Sequence, residues 1–255
     1  MSSNELHVGA SQGDRTEDWP QLYQLWVWGV YIPLVGLFTL FFGTLAIVIS
    51  FFNHRWAAHC GTGWGWALCR FNFTSVKVIG RERIDPKTSY VIMANHSSLF
   101  DIPALYGYLR RQFRWVMKKE LRDIPFFGFA TGQMGHVYID RSDREKAIAS
   151  LQAAAPTIRD GVSILFFPEG TRSHDGELKE FKKGGFMTAL TLGLPIVPVT
   201  IRGAYEAKPP GKAGARPGSI EVIVHEPVDT ASYGSERRDE LMAEVKRRIA
   251  SAQGH

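Results

Sequence analysis

Hydrophobic and polar residues are distributed unevenly along this chain, and the first feature is one long apolar run. From Leu25 to Phe52 no residue carries a formal charge. As a single helix this run would be about 42 Å long, which exceeds the bilayer hydrocarbon core of about 30 Å. It is too long for an ordinary core helix or for the apolar part of a signal peptide. We therefore expect residues 21–72 to form a helical membrane-anchoring segment.

The sequence leaves open whether this segment spans the membrane. A proline and three glycines allow it to bend into a kinked helix or a shallow hairpin in one leaflet. Most of the tryptophans precede residue 67, as in an aromatic belt at a membrane interface. The residues that allow the bend are Pro33, Gly29, Gly36 and Gly43.

Charged residues on either side of the apolar run predict its orientation. Residues 1–20 are small, polar and acidic without periodicity, and we expect a mobile tail there. Basic residues follow the run, at Arg55 and Arg70. Because positive charge stays on the cytoplasmic side, we expect a cytoplasmic-membrane protein whose C-terminal part faces the cytoplasm.

From about residue 74 short apolar runs alternate with amphipathic stretches. Strands alternating with helices predict an α/β domain over residues 73–255, with a mixed, largely parallel sheet flanked by helices. Helices are expected at about 101–110, 144–159, 185–192 and 236–251. The predicted strands are Ser75–Ile79, Tyr90–Ala94, Arg114–Met117, His136–Ile139, Val162–Phe167, Ile196–Ile201 and Ile220–His225.

The strand at Tyr90–Ala94 is followed at once by residues 95–98, Asn-His-Ser-Ser, which are typical of loops and helix caps. Pro103 lies in the first turn of the next helix, where its missing N–H costs nothing. His96 should therefore stand at the carboxyl end of a strand, where α/β sheets bind ligands. There it can fold back onto Asp101, which would hold one ring nitrogen and leave the other as a general base. Taken alone, the pattern is better explained by a histidine that only caps the loop.

Another strand end, at Phe167, leads into a turn that suits an anion. Arg172 offers a planar fork for a phosphate, and the amide of Gly170 can add a donor. Glu169 can steady this arginine or accept a hydrogen bond from a substrate hydroxyl. A surface turn with a local ion pair explains the stretch equally well.

Two further basic stretches are compatible with anion binding, although a solvated charge run or an exposed strand end is the simpler explanation of each. Arg141 follows the strand at His136–Ile139 and can reach the same sheet edge. Residues 182–185, Lys-Lys-Gly-Gly, precede a helix whose N-terminus favours negative charge.

The formal net charge of +5 indicates an anionic partner: a lipid surface, a nucleic acid or a phosphorylated substrate. Residues 110–122 interleave basic and aromatic side chains, and beside an apolar anchor they favour an anionic membrane surface. The chain has no nucleic-acid-binding motif, no phosphate loop and no dinucleotide fingerprint, so we expect neither nucleic acid nor a nucleotide cofactor. Its cysteines and neighbouring histidines lack the spacing of a zinc site, and no metal is expected.

Together these stretches resemble the glycerolipid acyltransferase family, most closely the 1-acyl-sn-glycerol-3-phosphate acyltransferases. Four blocks occur in the family's order across about residues 75–200, which is far more specific than any one of them. The blocks are Asn95–Asp101; Lys119–Leu121 with Pro125, Gly128 and Gly135–Arg141; Phe167–Ser173; and Leu194–Val199.

The resemblance implies acyl transfer in phospholipid synthesis, with no covalent acyl-enzyme and no cofactor. His96 would deprotonate the sn-2 hydroxyl of lysophosphatidate while Asp101 orients its ring. The alkoxide would attack acyl-CoA or acyl-carrier protein, giving phosphatidate and a thiol. The residues expected to hold the acceptor are Glu169, Gly170, Thr171 and Arg172, assisted by Arg141 and Lys119.

Two alternatives remain open at this stage. The acceptor can be another lysolipid or glycerol-3-phosphate, which would preserve the chemistry and change only the specificity. The chain can also be a membrane-anchored lipid-binding protein without turnover, although an intact His–Asp pair argues against this.

Overall fold

The protein is described by a computed structural model that covers residues 21–211 and 214–254. The expected acidic tail, residues 1–20, lies outside the described residues, as do residues 212–213 of the basic loop.

The long apolar run forms one continuous helical segment. Helix α1 (Gln21–Trp26) passes through a π-helical turn (Val27–Tyr31) into helix α2 (Ile32–Ser50). The wider π turn comes directly before Pro33, whose missing N–H and bulky ring would disrupt a regular α-helical bond. The helix therefore continues past the proline. Within the described residues, the segment Leu22–Ser50 is the one helix long and apolar enough to cross a membrane, and an 18-residue stretch of it has a mean hydropathy of 2.4.

The chain reverses after α2, where Asn53 begins the next helix. Its side-chain oxygen accepts hydrogen bonds from the N–H groups of Arg55 and Trp56, at 2.8 and 3.3 Å. This N-cap satisfies donors that the first turn of helix α3 (His54–Phe71) would leave unpaired. Helices α2 and α3 pack against each other. The segment is thus a helical hairpin whose reversal lies at the asparagine cap and not at the proline.

The strands form one sheet with the spatial order β1-β7-β6-β2-β5-β3-β4. Neighbouring strands run parallel except β6 and β7, which are antiparallel. The mixed, largely parallel sheet predicted from the sequence is confirmed. The strands are β1 (Thr74–Ile79), β2 (Val91–Ala94), β3 (Phe113–Lys118), β4 (Val137–Ile139), β5 (Ser163–Phe166), β6 (Ile196–Arg202) and β7 (Gly218–Val224).

Helices cover both faces of the sheet, and the alternation along β2 separates two cores. Ile92 packs with the hairpin and helix α4, whereas Met93 packs with Phe186 and Leu241 on the other face. Each helix predicted in this domain is present, with its ends moved by a few residues. Two short helices, α5 and α8, were missed because they have no amphipathic repeat. The helices are α4 (Asp101–Tyr108), α5 (Phe127–Gln133), α6 (Arg144–Ala154), α7 (Gly184–Leu192), α8 (Ala204–Ala207) and α9 (Arg238–Ala250).

A glycine contact joins the hairpin to α4. A Cβ atom on Gly107 of α4 would lie 2.5 Å from the backbone nitrogen of Trp66 in α3. A Cβ atom on Gly65 of α3 would lie 2.6 Å from the carbonyl oxygen of Pro103. Both distances are shorter than van der Waals contact, so only glycine allows this approach. The helix that begins with Asp101 is therefore packed directly against the hairpin.

Candidate active site

The carboxyl ends of β2 and β5 carry the residues that the sequence singled out. His96 follows β2, and its side chain is 14% exposed. Asp101 is the first residue of α4 and is fully buried. The Nδ1 atom of His96 lies 2.8 Å from the Oδ2 atom of Asp101. The structure thus brings these two residues together as the spacing predicts.

The same carboxylate oxygen also fixes the loop between them. Oδ2 of Asp101 accepts the backbone N–H groups of Ser97 and Ser98, at 2.9 and 2.8 Å. An ionised carboxylate only accepts hydrogen bonds, so the proton of this contact lies on Nδ1 of His96. That tautomer leaves the Nε2 lone pair of His96 available to take a proton. The aspartate therefore sets both the loop conformation and the tautomer.

An aromatic wall orients the imidazole. The ring of Phe167, which follows β5, stacks on His96 with centroids 3.8 Å apart and planes 9° apart. The ring of Trp115 from β3 lies 5.4 Å behind Phe167. This role of Phe167 was not predicted from the sequence. Its position at the end of the neighbouring strand was the available signal.

Glu169 lies under the histidine loop and not on the surface of the site. Its carboxylate accepts the backbone N–H of His96 at 2.7 Å and that of Lys179 at 3.1 Å. The residue is 3% exposed. Burial is the main cause that raises the pKa of Glu169 to about 7, with a smaller contribution from the charge of Asp101 and an opposing one from the two N–H donors. Both of its oxygens are therefore engaged by main chain.

The turn after Glu169 presents unpaired donors. Gly170 has φ +75°, a left-handed conformation that glycine adopts without strain. The backbone N–H groups of Thr171 and Arg172 donate to no group within the described parts of the chain, and the Arg172 guanidinium forms no ion pair there. Arg141 donates to the Gly170 carbonyl at 2.5 Å, which brings the end of β4 to this turn. Three of the predicted acceptor-binding residues and Arg141 thus converge.

Lys119 does not join this group directly. Its ammonium forms an ion pair with Asp140 at 2.5 Å, and the bond raises the pKa of Lys119. Asp140 lines the cleft that contains His96, whereas Lys119 stands behind it. Lys119 therefore does not line the cleft itself and reaches it only through Asp140.

Two further lysines lie beside the turn: Lys182, from the stretch compatible with anion binding, and Lys208, whose position here was not predicted. The side chain of Lys182 lies against Gly170, where an added Cβ would approach its terminal atoms within 2.9 Å. Lys208 lines the same cleft, and burial, together with the nearby charge of Arg172, lowers its pKa. Positive charge is therefore concentrated around the turn formed by residues 170–172.

A cleft of 1840 Å³ connects these features. Its lining combines apolar side chains, many of them from α2, α3, α4 and α5, with several basic residues. A volume of this size is larger than a drug-sized pocket needs, and it suits a long apolar group joined to a charged one. The apolar lining includes Val35, Phe42, Trp64, Tyr106, Met117 and Phe127, and the basic lining includes Arg141, Arg172, Lys182, Lys183 and Lys208.

A histidine held by a buried aspartate thus lies in a large cleft at the carboxyl ends of a largely parallel sheet, with one ring nitrogen able to take a proton. A family model described as Acyltransferase matches residues 75–202. The chain belongs to the acyltransferase family.

Named relatives narrow this assignment. A protein of Chlamydomonas reinhardtii named 1-acyl-sn-glycerol-3-phosphate acyltransferase is 33% identical over 228 residues, covering 88% of this chain and 67% of that protein. A Salmonella typhimurium protein of the same name is 30% identical, covering 88% of this chain and 89% of that protein. The chain spans 59% and 52% of the chloroplast relatives from Brassica napus and Arabidopsis thaliana.

A solved structure supports the same assignment. The crystal structure of the 1-acyl-sn-glycerophosphate acyltransferase PlsC from Thermotoga maritima superposes with a TM-score of 0.76 at 29% identity, covering 92% of this chain and 99% of that chain. The fold described above is therefore the fold of this enzyme family.

Proposed function

We propose that this protein transfers a fatty acyl group from a thioester donor to the sn-2 hydroxyl of lysophosphatidate, forming phosphatidate at the cytoplasmic membrane. One observation carries the proposal above the others. His96, with Nδ1 held by Asp101, lines a cleft whose wall combines apolar side chains with basic residues. This arrangement matches an acceptor and a donor that each combine an acyl chain with a phosphate.

In the proposed reaction His96 Nε2 takes the proton of the acceptor hydroxyl as the oxygen attacks the thioester carbonyl. The Asp101 carboxylate stabilises the imidazolium that forms. The tetrahedral intermediate then collapses with loss of the thiolate, which receives the proton from His96 and leaves as a thiol. General-base help of this kind contributes about 10²–10⁴-fold, so hydrogen-bond donors at the developing oxyanion must supply much of the remaining acceleration.

The acceptor phosphate is proposed to bind at the turn after Glu169. The Arg172 guanidinium and the backbone N–H groups of Thr171 and Arg172 supply donors, and Gly170 gives the turn its shape. Arg141 holds the Gly170 carbonyl and adds positive charge. Lys119 acts more remotely, since it neutralises Asp140 beside this turn.

The hairpin is proposed to lie in one leaflet and to carry the acyl groups to the cleft. The first helical arm, residues 21–50, is tied to the α/β domain at its start and at the reversal that follows it: Tyr23 donates to the carbonyl of Ala215 at 2.7 Å, and Arg55 pairs with Asp160 at 2.7 Å. A helix with both ends on one domain does not cross a bilayer in this conformation. The lipid-facing surface is proposed to comprise the exposed residues Leu37, Leu40, Phe41, Leu45, Val48, Phe51 and Phe52.

Membrane attachment by the hairpin can be measured with vesicles. The double change Leu40→Ser and Phe41→Ser should weaken co-sedimentation with anionic vesicles by about tenfold or more, because each lost side chain removes about 1.5–3 kcal/mol of apolar burial. Ile148→Ser on α6 removes a similarly exposed apolar group away from the hairpin and is the matched control. Equal binding by both variants would exclude the hairpin as the anchor.

The proposed activity is tested by thiol release from palmitoyl-CoA and from palmitoyl-acyl-carrier protein. Detergent-purified protein is assayed with and without lysophosphatidate, beside the His96→Ala variant. We expect release that requires lysophosphatidate and disappears in the variant. Release only with glycerol-3-phosphate or another lysolipid would reassign the acceptor. No release with any donor or acceptor would leave a lipid-binding protein without turnover.

A further inference from the structure

Both backbone polar groups of His96 are bound by the turn that follows β5. Its N–H donates to Oε1 of Glu169 at 2.7 Å, and its carbonyl accepts from the N–H of Ser173 at 2.8 Å. These bonds join the loop after β2 to the loop after β5. The main-chain groups of His96 itself are therefore held by the neighbouring loop, while Asp101 holds its ring and the N–H groups of the next two residues.

Glu169 has no access to a substrate in this structure. Pro168 and Gly170, on either side of it, line the cleft, whereas Glu169 points beneath it. Its second oxygen accepts the N–H of Lys179. Because Glu169 is only 3% exposed, an acceptor hydroxyl would have to displace the chain that covers the carboxylate in order to reach it.

The charge of Glu169 is not used to hold a cation either. Within residues 21–211 and 214–254 no lysine or arginine forms an ion pair with it. The nearest candidate, Lys179, directs its ammonium to the carbonyl of Arg172 at 2.9 Å and gives Glu169 only its backbone N–H. A buried carboxylate with two main-chain donors and no counter-ion holds together the two chain segments that supply those donors.

We propose that Glu169 is a positioning residue, which clamps the backbone of His96 to the Lys179 segment and holds the imidazole at its reacting position without contacting substrate. The inference rests on the proposed function, because it assumes that His96 is the general base. It changes the role that the sequence favoured for Glu169, which was contact with the acceptor. Displacement of a catalytic group by about 1 Å can lower the rate about 100-fold.

The decisive variant is Glu169→Gln, which keeps the shape of the side chain. Its amide oxygen can accept only one of the two N–H groups, and its NH₂ group then faces the other donor. At pH 8 we expect kcat to fall about 10- to 100-fold, with the KM for lysophosphatidate unchanged within about twofold. Glu177→Gln, on an exposed glutamate of the same loop, is the control and should behave as wild type.

Amide hydrogen exchange gives a readout that needs no turnover. In Glu169→Gln the N–H of His96 or that of Lys179 should exchange at least about tenfold faster than in wild type, because one of them has lost its acceptor. The exchange of β6, which the clamp does not contact, should not change. If Glu169→Gln does not fold, Glu169→Asp, which retains the charge but is shorter by one methylene, is measured in the same way.

The outcomes separate this inference from the proposed function. A raised KM for lysophosphatidate with kcat preserved would overturn the clamp and make Glu169 a substrate contact. Unchanged kcat, or unchanged exchange at both amides, would also overturn it. If wild type releases no thiol with any acceptor, the proposed function fails, while the exchange measurement still decides whether Glu169 clamps the loop.

Discussion

Replacement of Asp101 by asparagine isolates the charge of the His96–Asp101 pair. All three donors around this side chain converge on Oδ2: the Nδ1–H of His96 and the N–H groups of Ser97 and Ser98. The other oxygen, Oδ1, is buried without a hydrogen-bond partner among the described residues. In the Asp101→Asn variant, these two N–H groups therefore favour the side-chain orientation that places the amide oxygen at the Oδ2 position. The tautomer of His96 is retained and only the negative charge is lost.

The magnitude of this loss follows from the distance between the charges. The imidazolium and carboxylate centres are about 4 Å apart, and at an effective dielectric constant of about 20 their attraction is about 4 kcal/mol. A barrier raised by that amount corresponds to about a 10³-fold lower kcat. Loss of the correct tautomer, as in serine-protease triads, would cost about 10⁴-fold. We therefore expect Asp101→Asn to lower kcat by about 10³-fold.

The measurement is single-turnover thiol release from acyl-CoA with saturating lysophosphatidate. Circular dichroism and the melting temperature of the Asp101→Asn variant show whether the loop and α4 remain folded. Asp101→Ala is a poorer probe, because it leaves the N–H groups of Ser97 and Ser98 buried without acceptors. A folded Asp101→Asn variant with kcat within tenfold of wild type would refute the electrostatic role of this carboxylate.

Three further predictions address the acceptor site, the hairpin and the buried glutamate. Arg172→Ala should raise the KM for lysophosphatidate about 10- to 100-fold with kcat largely kept, since a charge-assisted bond is worth about 1.5–3 kcal/mol. Steady-state kinetics, with Lys77→Ala as the control variant, test this prediction. An unchanged KM for lysophosphatidate would contradict it. Gly107→Ala should lower the free energy of unfolding by about 1–3 kcal/mol. The control Gly132→Ala, whose Cβ would meet no atom within 4 Å, should not. Equal melting temperatures of the two variants would count against the close contact between α3 and α4. Burial raises the pKa of Glu169 to about 7 from its ordinary 4.5. Between these two pH values the folded state holds a proton that the unfolded state has released. The free energy of unfolding should therefore fall by about 3 kcal/mol as the pH rises from 5 to 8. Denaturation across that range should show this decline in wild type and a smaller one in Glu169→Gln.

Local patterns were sufficient for most of the α/β domain. Strands such as β2 and β5 are short apolar runs bounded by turn residues, and α9 repeats an apolar residue every fourth position. These signals depend only on neighbours in sequence, so they can be recognised without knowledge of the fold. The His96–Asp101 contact could be predicted for the same reason, since the two residues are joined by one loop.

Contacts between distant segments could not be predicted in this way. The continuation of the helix past Pro33 depends on a π turn, and the reversal of the hairpin depends on the Asn53 cap, neither of which periodicity detects. The sequence placed Lys119 at the acceptor site, but its ammonium pairs with Asp140, which lies 21 residues further along the chain. Glu169 was likewise assigned to a substrate, because its main-chain donors come from loops whose proximity is set by strand order.

The sequence by itself determined the long apolar segment, the alternation of strands and helices, and the four blocks that resemble the acyltransferase family. The tertiary structure decided which residues of different blocks contact one another. Placing β5 beside β2 brings the loop with Glu169 under the backbone of His96, and placing β3 beside β5 brings the ring of Trp115 behind Phe167. The physical reason is that a side chain's role depends on burial and on its hydrogen-bond partners, and both are properties of the assembled sheet edge.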